Sequence, residues 1–500
     1  MKEMQKADRE GLFPDLLVER QRRMTEVLGR ECSTFKGDLL GQTIYITSDP
    51  KNIQALLATQ FPDYDLGPAR RGNMGQTLGD GIFVQDGRAW EHSRALLRPN
   101  FARDQVSDLE LEERHVQNLM KMLPSRTDGW TNETDIQTLF FRLTIDSATE
   151  FLFGESVDSQ INEAAGSEAG KDGHEKNEIL FSRHFDSAQK HMAQRFRLGD
   201  LWWLYNPKSY KEDNKIVKDF VDHYVRIALQ RSDSHEKEAE EGHGKKKYVF
   251  LEALAEQTKD PVELNAQMLN ILLAGRDTTA SLLSWLFNQL LRNPGVFEKL
   301  RAAVIESFGP YSDDTQDITF ATLKECQYLQ YCLNETLRLW TVVPGNGRRS
   351  NKATTLPRGG GPDGNSPIYI KPQTDVNYSI HVMHRRKDLW GEDAEEFKPE
   401  RFAGRKPGWE YVTVPRERLS TIESMLTAIA SFLPFNGGPR ICIGQQFALT
   451  EASYVVVRLL QRFDKIVPGA HEMEGPITTN LGLTSCPGKP VTLKLHEAQA

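Results

Sequence analysis

The chain has 500 residues, 39% of them hydrophobic and 26% charged, so it carries enough apolar material for a large buried core. Its formal net charge of −8 argues against a nucleic-acid binder, which would carry a basic stripe. Five cysteines (Cys32, Cys326, Cys332, Cys442 and Cys486) include no Cys-x-x-Cys pair, which speaks against a disulfide scaffold or a zinc ribbon and for a reducing, cytosol-facing compartment.

The N-terminus, MKEMQKADREGLFPDLLVERQRR, is too charged for a signal peptide or a spanning helix. Residues 41–60 predict a short strand, a turn at Asp49-Pro50 and a helix. Residues 87–102 predict a helix ending near Pro99, and 134–153 a helix whose apolar face is Leu139, Phe140, Leu143, Ile145 and Ala148. Residues 155–177 and 232–247 are charged and poor in aromatics, and are expected as surface loops. The aromatic-rich stretch between them is helical in pattern. Helices dominate 262–340, and strand-like pieces follow at 366–380 and 489–495.

The longest apolar stretch, Met268–Leu290, has Arg276 and Asp277 at its centre. Each would cost about 2.5–3.5 kcal/mol at mid-bilayer, so this is a buried helix and not a span. The fold expected is mainly α with a small β lobe. Residues 1–40 form an N-terminal segment and 41–500 a single domain.

Chemistry concentrates in Phe432–Phe463, where a Gly- and Pro-bearing loop holds Cys442 ahead of a long apolar helix. Gly438 and Gly444 let the backbone pass close to something flat and bulky. A cysteine at a helix start, with Arg440 two residues before it, is expected to have a lowered pKa and to serve as a single anionic metal ligand. Ala274-Gly275-Arg276-Asp277-Thr278-Thr279 places an acid and two hydroxyls in mid-helix, costly unless paired. Read alone, this is better explained by a kink that threonine stabilises. Glu335 and Arg338, at i and i+3, share a helical face. Alone they read as a solvated pair worth about 0.2–0.5 kcal/mol. Trp90 and Arg94, at i and i+4, also share a face, and alone read as an aromatic anchor beside a surface arginine.

Phe435-x-x-Gly438-x-Arg440-x-Cys442-x-Gly444 resembles the haem-binding loop of the cytochrome P-450 superfamily at every defining position. The resemblance extends from about residue 40 onward and is closest to fungal members of the alkane and fatty-acid hydroxylase type. It is carried by LGDGIFVQDGRAWEHSRALLRPNFAR, FDSAQKHMAQRFRLGDLWWLYNPK and MHRRKDLWGEDAEEFKPERF. It implies the P-450 fold, with a haem b between a long distal helix and a proximal Cys-loop helix.

By that resemblance Cys442 is the iron's proximal ligand, in a loop shared with Phe435 and Gly444. Trp90, Arg94, Arg440 and Arg348, or the adjacent Arg349, hold the propionates. Thr278 hydrogen-bonds oxygen at the iron, Asp277 helps deliver protons, and Gly275 leaves room beside the helix. Glu335, Arg338 and Arg401 form a structural triad. Ile82, Phe83, Ile271, Ala274, Val342, Val343 and Leu483 line a substrate pocket. The activity implied is hydroxylation of a long-chain fatty acid, an alkane or a fungal secondary metabolite. It uses dioxygen and electrons from NADPH through a separate NADPH-cytochrome P-450 reductase. Two alternatives stay open: a haem-thiolate peroxide isomerase or dehydratase needing no reductase, and an inactive haem-binding member.

Two departures from the family pattern are seen. The usual N-terminal membrane helix is missing, so truncation is expected, and with it a native place on the cytosolic face of the endoplasmic reticulum; otherwise the protein is cytoplasmic. The LWWLY cluster, Leu201–Tyr205, is expected to give peripheral membrane contact. Residues 412–431 read as an insertion, either translated intron sequence or an added surface helix.

Overall fold

The computed structural model describes residues 2–39, 41–101, 109–164, 173–238, 248–403 and 432–499. The expected insertion 412–431 lies outside the described residues. The helices that build the site are α1 (Pro68–Leu78), α2 (Gly87–Leu97), α3 (Leu109–Lys121), α4 (Ile136–Phe153), α5 (Gly173–Arg197), α6 (Lys208–Glu238), α7 (Pro261–Arg292), α8 (Gln327–Leu339) and α9 (Gln445–Arg462).

Aspartates write the starts of the buried helices α4 and α7. Asp135 accepts the Gln137 N–H at 3.1 Å ahead of α4, and Asp260 accepts the Val262 N–H at 2.9 Å ahead of α7. Pro261 at the first position of α7 gives up an N–H that has no partner there. Gly154, at φ 81°, ends α4 in the left-handed conformation that glycine adopts freely.

The two halves of α7 serve two apolar clusters. Its first half, with Leu264, Met268, Ile271 and Leu272, packs with Met74, Ile145, Phe181 and Phe185 from α1, α4 and α5. Its second half, with Leu283, Leu286 and Phe287, packs with Phe140 and Leu143 of α4 and with Val455, Val456 and Leu459 of α9. Burying one such side chain stabilises the fold by about 1.5–3 kcal/mol. The α7 helix is therefore the fixed spine between the cysteine helix α9 and the α5–α6 pair.

A five-stranded sheet stands to one side. Its strands are β1 (Thr34–Leu39), β2 (Gln42–Thr47), β3 (Tyr64–Asp65), β4 (Gly345–Ser350) and β5 (Asp375–Ser379), in the order β1-β2-β5-β4-β3. Only β2 and β5 run parallel. The sequence GNGRRS of β4 is a poor strand former and was not expected as a strand; pairing with β5, Arg348 opposite Val376 and Arg349 opposite Asp375, makes it one.

The expected loops 155–177 and 232–247 need correcting. Their described parts hold the helix Ser159–Ala164, the start of α5 and the end of α6. Glu, Lys, Ala and Gln extend an existing helix at little cost even without burial. The helix from residue 87 ends at Leu97 and passes into a 3-10 turn over Arg98–Phe101. Among the described residues no helix is long and apolar enough to cross a membrane.

Candidate active site

The cysteine loop is built on a tight backbone. The Cys442 N–H donates to the Phe435 carbonyl at 2.9 Å, and the Ile441 N–H to the Gly438 carbonyl at 3.0 Å. Gly438 sits at φ 65°, and a Cβ there would lie 1.7 Å from the Leu57 carbonyl oxygen. That carbonyl belongs to a π-helical turn, Ala55–Thr59. The close approach expected at Gly438 is thus to protein backbone. Gly444, immediately before α9, would meet only the Phe101 ring at an ordinary 3.5 Å. A Gly438→Ala chain combines about 1–3 kcal/mol of backbone strain with a clash and should displace the loop. It is expected to lose bound haem, read as haem content per chain after purification.

Cys442 opens onto a cavity of about 820 Å³ walled by Trp90, Arg94, Arg98, Pro99, Phe101, Pro439 and Ile443. Although the thiol faces this cavity, it lies deep in the molecule. Desolvation pushes its pKa up, against the lowering effect of the Gly444 N–H and the Arg94 charge. The lowered pKa expected from the helix start and Arg440 is therefore corrected: burial outweighs the Gly444 N–H, and the cation that acts on the thiol is Arg94. The protein supplies a weakly held sulfur, and a bound cation is what would hold it as thiolate.

Arg94 and Arg98 line the cavity, and further cations gather behind its Trp90 wall. Arg94 donates to the Ile441 carbonyl at 3.0 Å, and the Arg440 guanidinium lies 4.4 Å from the centroid of the Trp90 ring. Arg440 also pairs with Asp86 at 2.8 Å. Arg348 gives a hydrogen bond to the Gly347 carbonyl at 2.8 Å, while its buried Nε has no partner. Arg70 bonds Asn346 and lies 5.4 Å over the Phe196 ring. Burial, then the nearby Arg348, pushes both Arg70 and Arg440 down to about 10. Neither Arg70 nor Arg348 forms an ion pair among the described residues.

The buried cluster of Arg70, Arg348 and Arg440 thus has one carboxylate, Asp86, for three guanidiniums, and is short of anionic charge. A haem, flat and carrying two propionates, fits the cavity, the sulfur and the cations together. Arg349 takes no part. Strand alternation turns it to the other face of β4, where it pairs with Asp375 at 2.6 Å and Asp200 at 2.8 Å.

The profile of the cytochrome P450 family matches residues 19–494. The chain belongs to the cytochrome P450 family. It is 51% identical to cytochrome P450 monooxygenase g430 of a Fusarium species, over 96% of this chain and 79% of that protein. It is 43% identical to cytochrome P450 52A12 of Debaryomyces hansenii, over 98% and 88%, and 49% identical to cytochrome P450 52A1 of Candida tropicalis, over 86% and 74%. The haem domain of cytochrome P450DA superposes with a TM-score of 0.73 at 21% identity, covering 98% of this chain and 94% of that one, and shares the fold.

In this P450 the middle of α7 presents two faces. Ala274, Gly275 and Thr278 share the less covered one. The Thr278 hydroxyl donates back to the Ala274 carbonyl at 2.6 Å. Asp277 is buried on another face, 3.4 Å from Arg276, and Arg276 also pairs with Asp186 of α5. Burial pushes the Asp277 carboxyl up to about 6, against the lowering effect of Arg276.

Glu335, Arg338 and Arg401 meet without access to water. Arg338 grips Glu335 with two bonds of 2.7 and 2.8 Å, and the Arg401 Nε reaches Glu335 at 3.1 Å. The remaining N–H groups of Arg338 go to the carbonyls of His384, Ala394 and Glu396. The pair that reads as solvated in isolation is thus fully enclosed.

Of the expected pocket residues, Ile82, Phe83, Ile271 and Leu483 join one apolar cluster, and the Phe83 N–H is held by Asn270 at 3.0 Å. Val342 and Val343 belong instead with the other cluster, and the Val342 carbonyl accepts the Ser485 N–H. None of the seven walls the cysteine cavity. The LWWLY cluster divides. Trp202 lies against Gly72 of α1, under the Arg195 guanidinium at 4.6 Å, whereas Trp203 and Leu204 are exposed.

The sequence reading missed Arg70 and Asp86. The doubled arginine of PARRG fits no motif, and Asp86 is placed only by folding, where it accepts the Leu66 N–H at 2.9 Å and holds Arg440.

Proposed function

We propose that this P450 is a haem-thiolate monooxygenase that hydroxylates a hydrophobic substrate: a long-chain fatty acid, an alkane or a fungal secondary metabolite. The observation that carries the reading is the Cys442 sulfur opening onto a cavity walled by Trp90 and Arg94, with Arg440 on the outer side of the Trp90 ring and, near Arg440, Arg348 and Arg70 without an ion pair among the described residues. Cys442 would be the protein ligand to the haem iron, and Trp90, Arg94, Arg348 and Arg440, joined by Arg70, would hold the propionates. When bound, haem b supplies dioxygen activation, with electrons from NADPH through a separate reductase.

The chain's own residues bind substrate and move protons. Ile82, Phe83, Ile271, Ala274 and Leu483 offer apolar contact to a hydrocarbon chain, at about 0.8 kcal/mol for each methylene they bury. Asp277, with its carboxyl at about 6, exchanges a proton near neutrality. The Thr278 hydroxyl, on the neighbouring face, can pass one on. We assign Trp203 and Leu204, exposed at the end of a 3-10 turn, to contact with a membrane surface.

The test is turnover with reductase, NADPH and labelled dioxygen, after a spectral binding screen of fatty acids, alkanes and polyketides. One labelled oxygen atom per product supports the reading. Conversion of a peroxide without NADPH would replace it by the isomerase or dehydratase reading.

An Asp277→Asn chain is expected to lose product formation by about 10²-fold while NADPH consumption continues and hydrogen peroxide is released. The same chain should be more stable than the parent at neutral pH. The folded-state pKa of Asp277 lies above the unfolded value of 3.8, so the native state binds the extra proton. Stability therefore falls as pH rises between the two values and stays lower above about 6. Urea midpoints for the two chains should converge toward acid pH and separate toward neutrality.

A further inference from the structure

One nitrogen of Arg276 faces two carboxylates. Its Nη1 pairs with Asp186 of α5 and stands 3.4 Å from Asp277 Oδ1. The guanidinium is enclosed, 7% exposed, between the rings of Phe141 and Phe185 at 5.7 and 5.9 Å. Its Nε is unpartnered. Asp186 holds it from the outside, because its own side chain is 47% exposed. With Nη1 engaged there, Asp277 Oδ1 is left buried without a hydrogen-bond donor.

The other groups that face Asp277 are Gln189, also on α5, and the Cys486 thiol on the strand Ser485–Pro487. Helix α4 contributes Phe141 beside Arg276. None of these brings a second positive charge. Burial is the main influence on Asp277, and on top of it the carboxyl responds to how Arg276 divides between two acids.

We propose that Asp186 is a positioning residue for the proton step: it draws Arg276 away from Asp277 and so leaves that carboxyl free to take up and release a proton. The inference rests on the reading of Asp277 as proton carrier given above. Without the Asp186 charge, Arg276 turns wholly to Asp277 and fixes it as a carboxylate. Two effects act in the same direction. The like charge of Asp186 opposes ionisation of Asp277, and the pairing of Arg276 with Asp186 weakens its hold on Asp277. Because α5 packs along α6 and α1, any displacement of α5 would be felt at Asp277 through this one guanidinium.

The test uses the haem-loaded full chain as Asp186→Asn, Asp186→Glu and Asp277→Asn. The protonated carboxyl band of Asp277 is followed by infrared difference spectroscopy across pH and assigned by its loss in Asp277→Asn. The parent midpoint is expected near pH 6. In Asp186→Asn it should fall by about one unit, and Asp186→Glu should return it to the parent value. The carbon-monoxide spectrum of Asp186→Asn should match the parent, since a half-exposed side chain does not set the haem site. Turnover is followed with dodecanoic acid as probe, as product and peroxide per NADPH. Asp186→Asn is expected to release more peroxide at neutral pH.

An unchanged infrared midpoint in Asp186→Asn overturns the positioning role, whatever the turnover. A shifted midpoint together with parent-like peroxide release from Asp277→Asn keeps the control of Asp277 by Asp186 but removes the proton-carrier reading on which its catalytic meaning rests.

Discussion

A Cys442→Ser chain is expected to fold, to lose the strongly red-shifted Soret band of the reduced carbon-monoxide complex, and to lose oxidation of every substrate the parent accepts. The serine hydroxyl is similar in size to the thiol, and the loop is held by backbone bonds that do not involve the side chain, Cys442 N–H to Phe435 and Ile441 N–H to Gly438. Far-ultraviolet circular dichroism should therefore be unchanged. What would disappear is the sulfur that, on the proposed reading, holds the haem iron as a thiolate and supports its oxygen chemistry. The chemistry lost would be that of the ligand, because Arg94, Trp90 and Arg440, the proposed propionate holders, keep their contacts. A Cys442→Ser protein that keeps both the spectrum and the oxidation would remove the basis of the proposed function.

The second large effect falls on stability. Glu335 is fully buried and accepts from Arg338 twice, from the Arg401 Nε and from the Lys398 N–H at 2.9 Å. A Glu335→Ala chain leaves the Arg338 guanidinium enclosed with no counter-ion, while Arg401 keeps only Asp393. Removing one partner from a buried network of this kind costs about 3–5 kcal/mol. The expected observation is a large drop in the urea midpoint, or failure to accumulate as folded protein. Arg401→Ala should cost less, because Arg338 keeps both its bonds to Glu335, although Asp393 then loses its partner at 2.9 Å. Burial opposes the lowering of the Asp393 carboxyl, but the Arg401 hydrogen bond is the largest influence and holds it at about 2. That contribution is present above the unfolded pKa of 3.8 and is lost as pH falls toward about 2. The difference between Arg401→Ala and its parent should accordingly shrink in acid. A double-mutant cycle of Glu335→Ala with Arg401→Ala should show strong non-additivity, since the two share one carboxylate.

The helical class of the chain and the positions of the cysteine loop, the distal motif and the Glu335–Arg338 pair are legible in one dimension, because each depends on local spacing. Asp135 and Asp260 announce their helices by capping chemistry, and Cys442 announces itself by five fixed residues in one short loop. The loops expected at 155–177 and 232–247 failed for a complementary reason. Polarity alone says that a segment cannot build a core, but not that it cannot prolong a helix nucleated elsewhere.

Other features depend on partners far away in the chain. Whether Arg348 or Arg349 faces the cation cluster is undecidable from RRS, and is settled only when β5 pairs with β4 and assigns alternate side chains to opposite faces. The Cys442 thiol carries a helix-start signature that lowers its pKa locally, yet the walls brought around it from α2 and the 3-10 turn at Arg98 push it the other way. Gly438 looks like a glycine kept for a ligand, and folding shows it kept for the Leu57 carbonyl. The amino-acid order thus determined the kinds of element and the identity of the reactive groups, which follow from short-range sterics and hydrogen bonding. Burial and charge pairing, which sum over residues hundreds of positions apart, were decided by the tertiary structure alone.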